Sequence, residues 1–306
     1  MEIITLDKDP AVNLHFALHA SKEDKVSGVV QISHGMAEHM ERYKYFINHL
    51  NANGFHVIIH DHRGHGRRVI NDNIGFFAAS NGWQFLVKDL IDINNKSISM
   101  YPELPQILLG HSMGSWVSLS ALQEGANFDV VMLSGSSKPN TLEIFLQKIL
   151  LKYETFRLGS TGYSAFLHKI IFGGFNSKFI DTNTPNDWLS RDKESVDSYT
   201  KDPLCGFIVS NQLWADVIQG IETVFKQQQL DLIPKNIPIL VFSGSEDPVG
   251  RMGKGTSELH QLLVGSGCNS SLYLIEGSRH ETLNETNKIK TYNYLINFLN
   301  NFLARD

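Results

Sequence analysis

The residues of this chain best suited to do chemistry are Gly110-His111-Ser112-Met113-Gly114, directly after the apolar run Gln106-Ile107-Leu108-Leu109. A serine flanked two positions away on each side by glycine, where a predicted strand meets a predicted helix, has the local setting of a nucleophile. So sharp a turn leaves no room for a Cβ at Gly110 or Gly114, and it pushes Ser112 out at the top of a sheet. The helix predicted to begin at Met113 also aims its free N–H groups at that serine, where they can stabilise negative charge. The pentapeptide alone is a weak signal, because such strings also occur in structural turns.

A serine hydroxyl is a poor nucleophile near neutrality, so Ser112 needs a base within hydrogen-bond reach, and the base needs an acid to fix its tautomer. Asp247 follows the strand-like run 239–242 and His280 follows the run 272–275. Taken singly, Asp247 reads equally well as a turn-former and His280 as a surface histidine, and Glu246 is an alternative acid. Their joint placement carries the weight. Nucleophile, acid and base all fall just beyond the carboxyl ends of successive predicted strands, the edge at which open α/β sheets bind ligands. Acyl transfer further requires two donors for the developing oxyanion. The Met113 N–H is one. The Met36 N–H, in His34-Gly35-Met36 after a strand ending at Ser33, is the other, since Gly35 lets the backbone approach closely. On its own, His34-Gly35 is a plain strand-ending turn.

A sheet must position these groups. Short runs at 29–33, 56–60, 106–109, 130–133, 239–242 and 272–275 are apolar on both faces, which predicts buried parallel strands. Segments around Ile3-Ile4 and 14–18 predict antiparallel edge strands. Between the runs, Tyr43, Phe46, Ile47 and Leu50 recur at helical spacing, as do Trp214, Val217, Ile218, Ile221, Val224 and Phe225, and a closing helix carries Ile289, Tyr292, Ile296, Leu299 and Leu303. Alternating strands and helices predict an α/β fold with a mostly parallel sheet covered on both faces. The alternation breaks between Lys138 and Gly206, where the chain turns aromatic and helical. This predicts a core over 1–137 and 207–306 interrupted by a helical cap at 138–206. The first cap helix carries Leu142, Ile144, Phe145, Leu146, Ile149, Leu150 and Leu151, more apolar surface than one core-facing stripe needs. Two readings that do not exclude each other follow: the cap packs on both the sheet domain and its own second helix, and part of this surface lines an acyl-chain tunnel or touches lipid.

Composition bounds the function. With 306 residues, 42% hydrophobic and 19% charged, the chain can bury a large core, and 27 basic against 32 acidic residues give a net charge of −5. That balance argues against nucleic acid as the main partner. The first ten residues lack the pattern of a signal peptide and no window is apolar enough to span a bilayer, so a cytoplasmic location is the default expectation. Cys205 and Cys268 are too few for a disulfide framework and read as free. Cys205, at the cap's exit, reads as a buried structural thiol or as a neighbour of the acyl pocket.

Together these residues resemble the monoacylglycerol lipase and lysophospholipase group of α/β-hydrolases, which overlaps the serine aminopeptidase grouping. The resemblance rests on His34-Gly35-Met36-Ala37-Glu38-His39 with Arg42-Tyr43, on Asp61-His62-Arg63-Gly64-His65-Gly66, and on Gly110 to Gly114. It continues through Leu189-Ser190-Arg191-Asp192 with Asp202-Pro203-Leu204, Gly244 to Val249 and Gly277 to Glu281, in order over nearly the whole chain. It implies an α/β-hydrolase fold with a mobile hydrophobic cap, and an acyl-enzyme on Ser112 with Asp247 and His280. It also implies oxyanion donors at Met36 and Met113, and lipid esters such as monoacylglycerols or lysophospholipids as substrates, with transient membrane contact through the cap. No cofactor or metal is implied. Glu38, His39 and Arg42 are implied to support the oxyanion loop. The chain departs from the family at Arg67-Arg68, where a serine is common. These charges are either solvated or favour an anionic substrate group. No known motif matches between Lys138 and Leu189, so chain-length preference is not legible, and neither is the oligomeric state.

Rival chemistries are available. His60-Asp61-His62-Arg63-Gly64-His65 approaches a dinuclear metal-hydrolase motif but carries Gly64 where that motif needs aspartate. Halide- or epoxide-processing relatives need an aspartate nucleophile, and position 112 is serine. An aminopeptidase would need an anionic anchor for the substrate amine, for which Glu143, Glu154 and Asp187 are available. A catalytically dead binding protein would be expected to lack a triad member, and none is missing.

Overall fold

The computed structural model describes residues 1–7, 9, 12–69 and 73–303. In chain order the elements are β1 (Glu2–Thr5), β2 (His15–His19), β3 (Gly28–Ser33), α1 (Lys44–Asn51), β4 (Phe55–His60), α2 (Gly82–Met100), β5 (Gln106–His111), α3 (Met113–Gln123) and β6 (Val130–Ser134). Three helices follow, α4 (Thr141–Leu158), α5 (Ala165–Asn176) and α6 (Lys193–Lys201). The chain continues with α7 (Asn211–Val224), α8 (Gln227–Leu230), β7 (Ile239–Gly244), α9 (Lys254–Gly265), β8 (Ser270–Ile275) and α10 (Lys288–Leu303).

All eight strands form one sheet in the order β1-β2-β4-β3-β5-β6-β7-β8. β1 pairs antiparallel with β2, and β2 antiparallel with β4, while the remaining pairs are parallel. Every residue of β3, β5, β6 and β7 is buried, as their unbroken apolar runs require. β8 departs from that expectation. It is the sheet's edge, and five of its six residues are only half-buried, with Tyr273 stacked on Tyr294 of α10 at 3.7 Å between ring centroids. Side chains of α2, α3, α7 and α9 pack on one face of the sheet, and those of α1 and α10 on the other. Of these helices, α2 and α9 lie beyond those the periodicity singled out.

The helices α4 to α6 stand between β6 and α7, each started by a side-chain cap. Asn140, Ser164 and Asp192 accept hydrogen bonds from the N–H groups of Leu142, Leu167 and Ser195. Packing accounts for only part of α4's apolar surface. Leu151 is buried and Ile144 and Leu150 are half-buried against the core, whereas Leu142, Phe145, Leu146, Ile149, Tyr153 and Phe156 face outward.

Arg67 and Arg68 part company. Arg67 is exposed and pairs with Glu41, while the Arg68 guanidinium is buried 2.8 Å from Asp89, which also holds Arg63. Arg68 is therefore not solvated, because its charge is neutralised inside the fold, and neither arginine lines the main cavity.

Candidate active site

The turn at Ser112 is built by close packing on both sides. Ser112 has φ 51° and ψ −120°, left-handed for a non-glycine residue, and Ser115 N–H donates to its carbonyl as α3 begins. A Cβ on Gly110 would lie 2.4 Å from Ser118 Oγ and 2.6 Å from the Gly114 carbonyl oxygen. On Gly114 it would lie 2.2 Å from the Ser33 carbonyl oxygen and 2.4 Å from that of His34. Gly110 therefore lets α3 fold back on β5, and Gly114 brings α3 against the end of β3, where the His34-Gly35-Met36 loop starts.

Asp247 and His280 meet on the turns after β7 and β8. His280 Nδ1 lies 3.0 Å from both carboxylate oxygens of Asp247. The same carboxylate accepts from Ser243 Oγ at 2.6 Å and from the Val249 N–H at 2.9 Å, so it is fixed on several sides. Glu246 is exposed, whereas Asp247 is fully buried. Burial pushes the Asp247 carboxyl up, but the His280 ring and the hydrogen bonds outweigh it and hold the group below its ordinary range. His280 is shifted the other way. Burial pushes it down, and the Asp247 carboxylate more than offsets this, leaving it above its ordinary value of 6.5. With Nδ1 engaged by the carboxylate, Nε2 is left for chemistry. The Trp188 ring centroid lies 5.2 Å from the His280 ring and that of His111 4.9 Å away. Burial pushes His111 down to about 4, so it is neutral near pH 7.

The loop carrying Met36 is held by a chain of buried charge. Glu38 accepts from the Gly35 N–H at 2.5 Å and from the Tyr43 hydroxyl at 2.9 Å. Arg42 bridges Glu38 to Glu281, the residue after His280, donating from Nη2 to Glu281 at 2.7 Å. Burial opposes a charged Glu281, yet Arg42 holds its pKa at about 2. Ala37, at φ 55°, donates its N–H to His65 Nε2 at 3.0 Å. Its carbonyl accepts from the Tyr199 hydroxyl at 3.0 Å and from the Gly206 N–H at 2.9 Å. His39 Nε2 lies 2.9 Å from Asp202. His34 is buried, its Nε2 accepting from the His62 N–H at 2.9 Å. His34, Glu38, His39 and Arg42 thus converge on one loop, and Met36 and Met113 both line the cavity beside Ser112. Sequence reasoning missed Glu281, Tyr199, Ser243 and Trp188. Only Glu281 had a signal, as a second acid beside the candidate base.

That cavity measures about 600 Å³ and is lined by Ser112, His280, Met36 and Met113. Trp116, Ile171, Phe172, Phe175, Trp214, Val217, Ile218 and Ile221 make its apolar wall, with Asn140, Glu143 and Gln147 among its polar groups. Of the candidate amine anchors, Glu143 reaches the cavity. Glu154 is held by Arg157 and Ser164, and Asp187 by the turn at Thr184. The metal-hydrolase reading fares no better. Asp61 accepts from the backbone N–H groups of Met40 and Arg67, and His65 Nε2 from that of Ala37, so these side chains brace the loop.

A family model described as serine aminopeptidase, S33 matches residues 24–287. The chain belongs to this family. Within it, the chain is 26% identical over 276 residues to the monoglyceride lipase homolog of Monkeypox virus, covering 86% of this chain and 84% of that one. It is 26% identical over 266 residues to the monoglyceride lipase of Homo sapiens, covering 82% and 75%. Among solved structures, a thermostable carboxyl esterase from Bacillus coagulans in complex with glycerol superposes with a TM-score of 0.86 at 25% identity, covering 99% of each chain. A soluble variant of monoglyceride lipase from Saccharomyces cerevisiae, at 19% identity and a TM-score of 0.71 over 94% of this chain and 91% of that one, shares the fold. By fold the protein is an α/β-hydrolase, and its lipase and esterase relatives place it among the carboxylic ester hydrolases. Among the described residues no helix is long and apolar enough to cross a membrane.

Proposed function

We propose that the protein hydrolyses lipid esters of the monoacylglycerol or lysophospholipid type through an acyl-enzyme on Ser112. The observation that carries this reading is that His280, paired with Asp247, lines together with Ser112 a cavity of about 600 Å³ whose wall is mostly apolar. His280 Nε2 takes the Ser112 proton as the hydroxyl attacks the ester carbonyl, and Asp247 stabilises the imidazolium. The N–H groups of Met36 and Met113 receive the oxyanion. His280 then protonates the departing glycerol oxygen, and water activated by the same imidazole releases the fatty acid. The apolar wall takes the acyl chain, and Asn140, Glu143 and Gln147 offer hydrogen bonds to a polyol head. An aminopeptidase reading is not favoured, because the cavity wall is mostly apolar and the relatives named above are monoglyceride lipases.

In the same proposal, residues 138–206 act as a cap over a core made by 1–137 and 207–306. The outward apolar face of α4 supports transient membrane contact, where such substrates reside. The two free cysteines suit a cytoplasmic setting. The test is hydrolysis of monoacylglycerols, lysophospholipids, short esters and aminoacyl amides of graded length by the parent and by Ser112→Ala. The parent is expected to prefer long-chain monoesters, and the variant to lose at least about 10⁴-fold in turnover while keeping its melting temperature. An active Ser112→Ala protein overturns the mechanism, and a preference for amides overturns the substrate class.

A further inference from the structure

We propose that His39, Asp202 and Cys205 form a binding site for a thiophilic divalent cation of the zinc class, and that the bound ion blocks hydrolysis. One nitrogen, one oxygen and one sulfur donor lie within 4.8 Å of one another, with His39 Nε2 and Asp202 Oδ2 at 2.9 Å. Tetrahedral zinc places its donors about 2.0 to 2.3 Å from the metal, so His39, Asp202 and Cys205 must draw together around it. Imidazole, carboxylate and thiolate together suit zinc, whereas magnesium and calcium call for oxygen donors alone.

Charge and surroundings agree with that assignment. A carboxylate and a thiolate balance the two positive charges of the ion. Arg42, whose charge acts on Cys205, is already neutralised by Glu281 and Glu38. The Cys205 sulfur is buried and makes no hydrogen bond among the described residues, so nothing competes for it. The Asp202 side chain is 32% exposed, which opens a route for the ion and a position for a water ligand.

Inhibition follows from where the donors sit. His39 belongs to the loop that carries Met36, three residues before it, while Asp202 and Cys205 follow α6. An ion replaces the hydrogen bond between His39 and Asp202 and draws Cys205 toward the loop. The Met36 N–H then leaves the position that the proposed reaction needs. The inhibition rests on the ester-hydrolase mechanism above, but the binding does not.

The test is a titration of the full chain with Co²⁺ and then Zn²⁺, followed by absorption and by ester hydrolysis. One ion per chain is expected, with a thiolate-to-cobalt charge-transfer band that zinc abolishes and a loss of turnover that a chelator restores. Cys205→Ser is expected to keep its melting temperature and its metal-free turnover, to lose the band, and to need at least about tenfold more zinc for inhibition. Cys268→Ser is expected to behave as the parent. A missing thiolate band, or Cys205→Ser inhibited by zinc as strongly as the parent, overturns the site. Binding with the band but without loss of turnover overturns the inhibitory effect. The cobalt band is read without substrate, so an inactive parent would count against the proposed reaction, while the metal site would still stand or fall on its band.

Discussion

Glu281 follows His280 directly, yet it serves the opposite wall of the site, because its carboxylate reaches Arg42 and through it Glu38 and the Gly35 N–H. Glu281→Gln leaves a buried guanidinium short of a partner and is expected to lower stability by on the order of 3 kcal/mol in a denaturant titration, with a fall in turnover as the Met36 loop loosens. His280 gives a prediction of its own. The base must be neutral, and Asp247 raises its pKa above 6.5, so kcat/KM is expected to rise with pH through a limb centred above that value. A limb centred below 6.5 would show the pair uncoupled during catalysis. At this scale what the sequence made legible is placement, for Ser112, Asp247 and His280 follow the ends of β5, β7 and β8 as their spacing predicts. Tyr199 and Trp188 gave no signal, because their roles depend on contacts with residues far away in the chain, Ala37 and His280.

Among the elements, α4 is the one whose sequence asks for a second environment. Leu142, Phe145, Leu146, Ile149, Tyr153 and Phe156 recur every three or four residues and remain exposed, the pattern of a helix with an apolar face on each side. The double change Phe145→Ser with Phe156→Ser is expected to weaken partition onto phospholipid vesicles at least about tenfold, since each exposed ring contributes on the order of 1 kcal/mol or more when it enters the interface. Sedimentation with vesicles measures this, and unchanged partition would remove α4 as the contact. The runs at 29–33, 106–109, 130–133 and 239–242 announced strands correctly because a central parallel strand is apolar on both faces. β8 shows the limit of that rule, for an edge strand has a neighbour on one side only and most of its residues stay half-buried. α2 and α9 escaped notice although Trp83, Leu86, Leu90 and Ile93 carry helical spacing.

For the whole molecule, histidine burial sets the response to acid. His34, His60, His62, His65 and His111 are all fully buried and all pushed down by that burial, His65 to about 3 and His111 to about 4. Each binds a proton more readily when unfolded, so stability is intact above about pH 6.5 and falls as the pH drops from there toward the folded values. His111 alone contributes on the order of 3 kcal/mol of loss once the pH is below 4. Asp247 and Glu281, held below their ordinary range, lose their contribution over the lower part of the same descent. His280, shifted up, acts in the opposite sense. Its stabilisation is full below about 6.5 and fades as the pH rises through its raised pKa. Urea unfolding from pH 7 to 4 is expected to show a steep fall beginning near 6.5, and a flat profile would contradict this reading. The sequence shows thirteen histidines but not that so many share one interior. The Ala37 carbonyl, accepting from both Tyr199 and Gly206, has a last consequence. It ties Tyr199 and Gly206 to the loop that carries Met36, so that in the reaction proposed above any displacement of that segment is passed directly to the Met36 N–H.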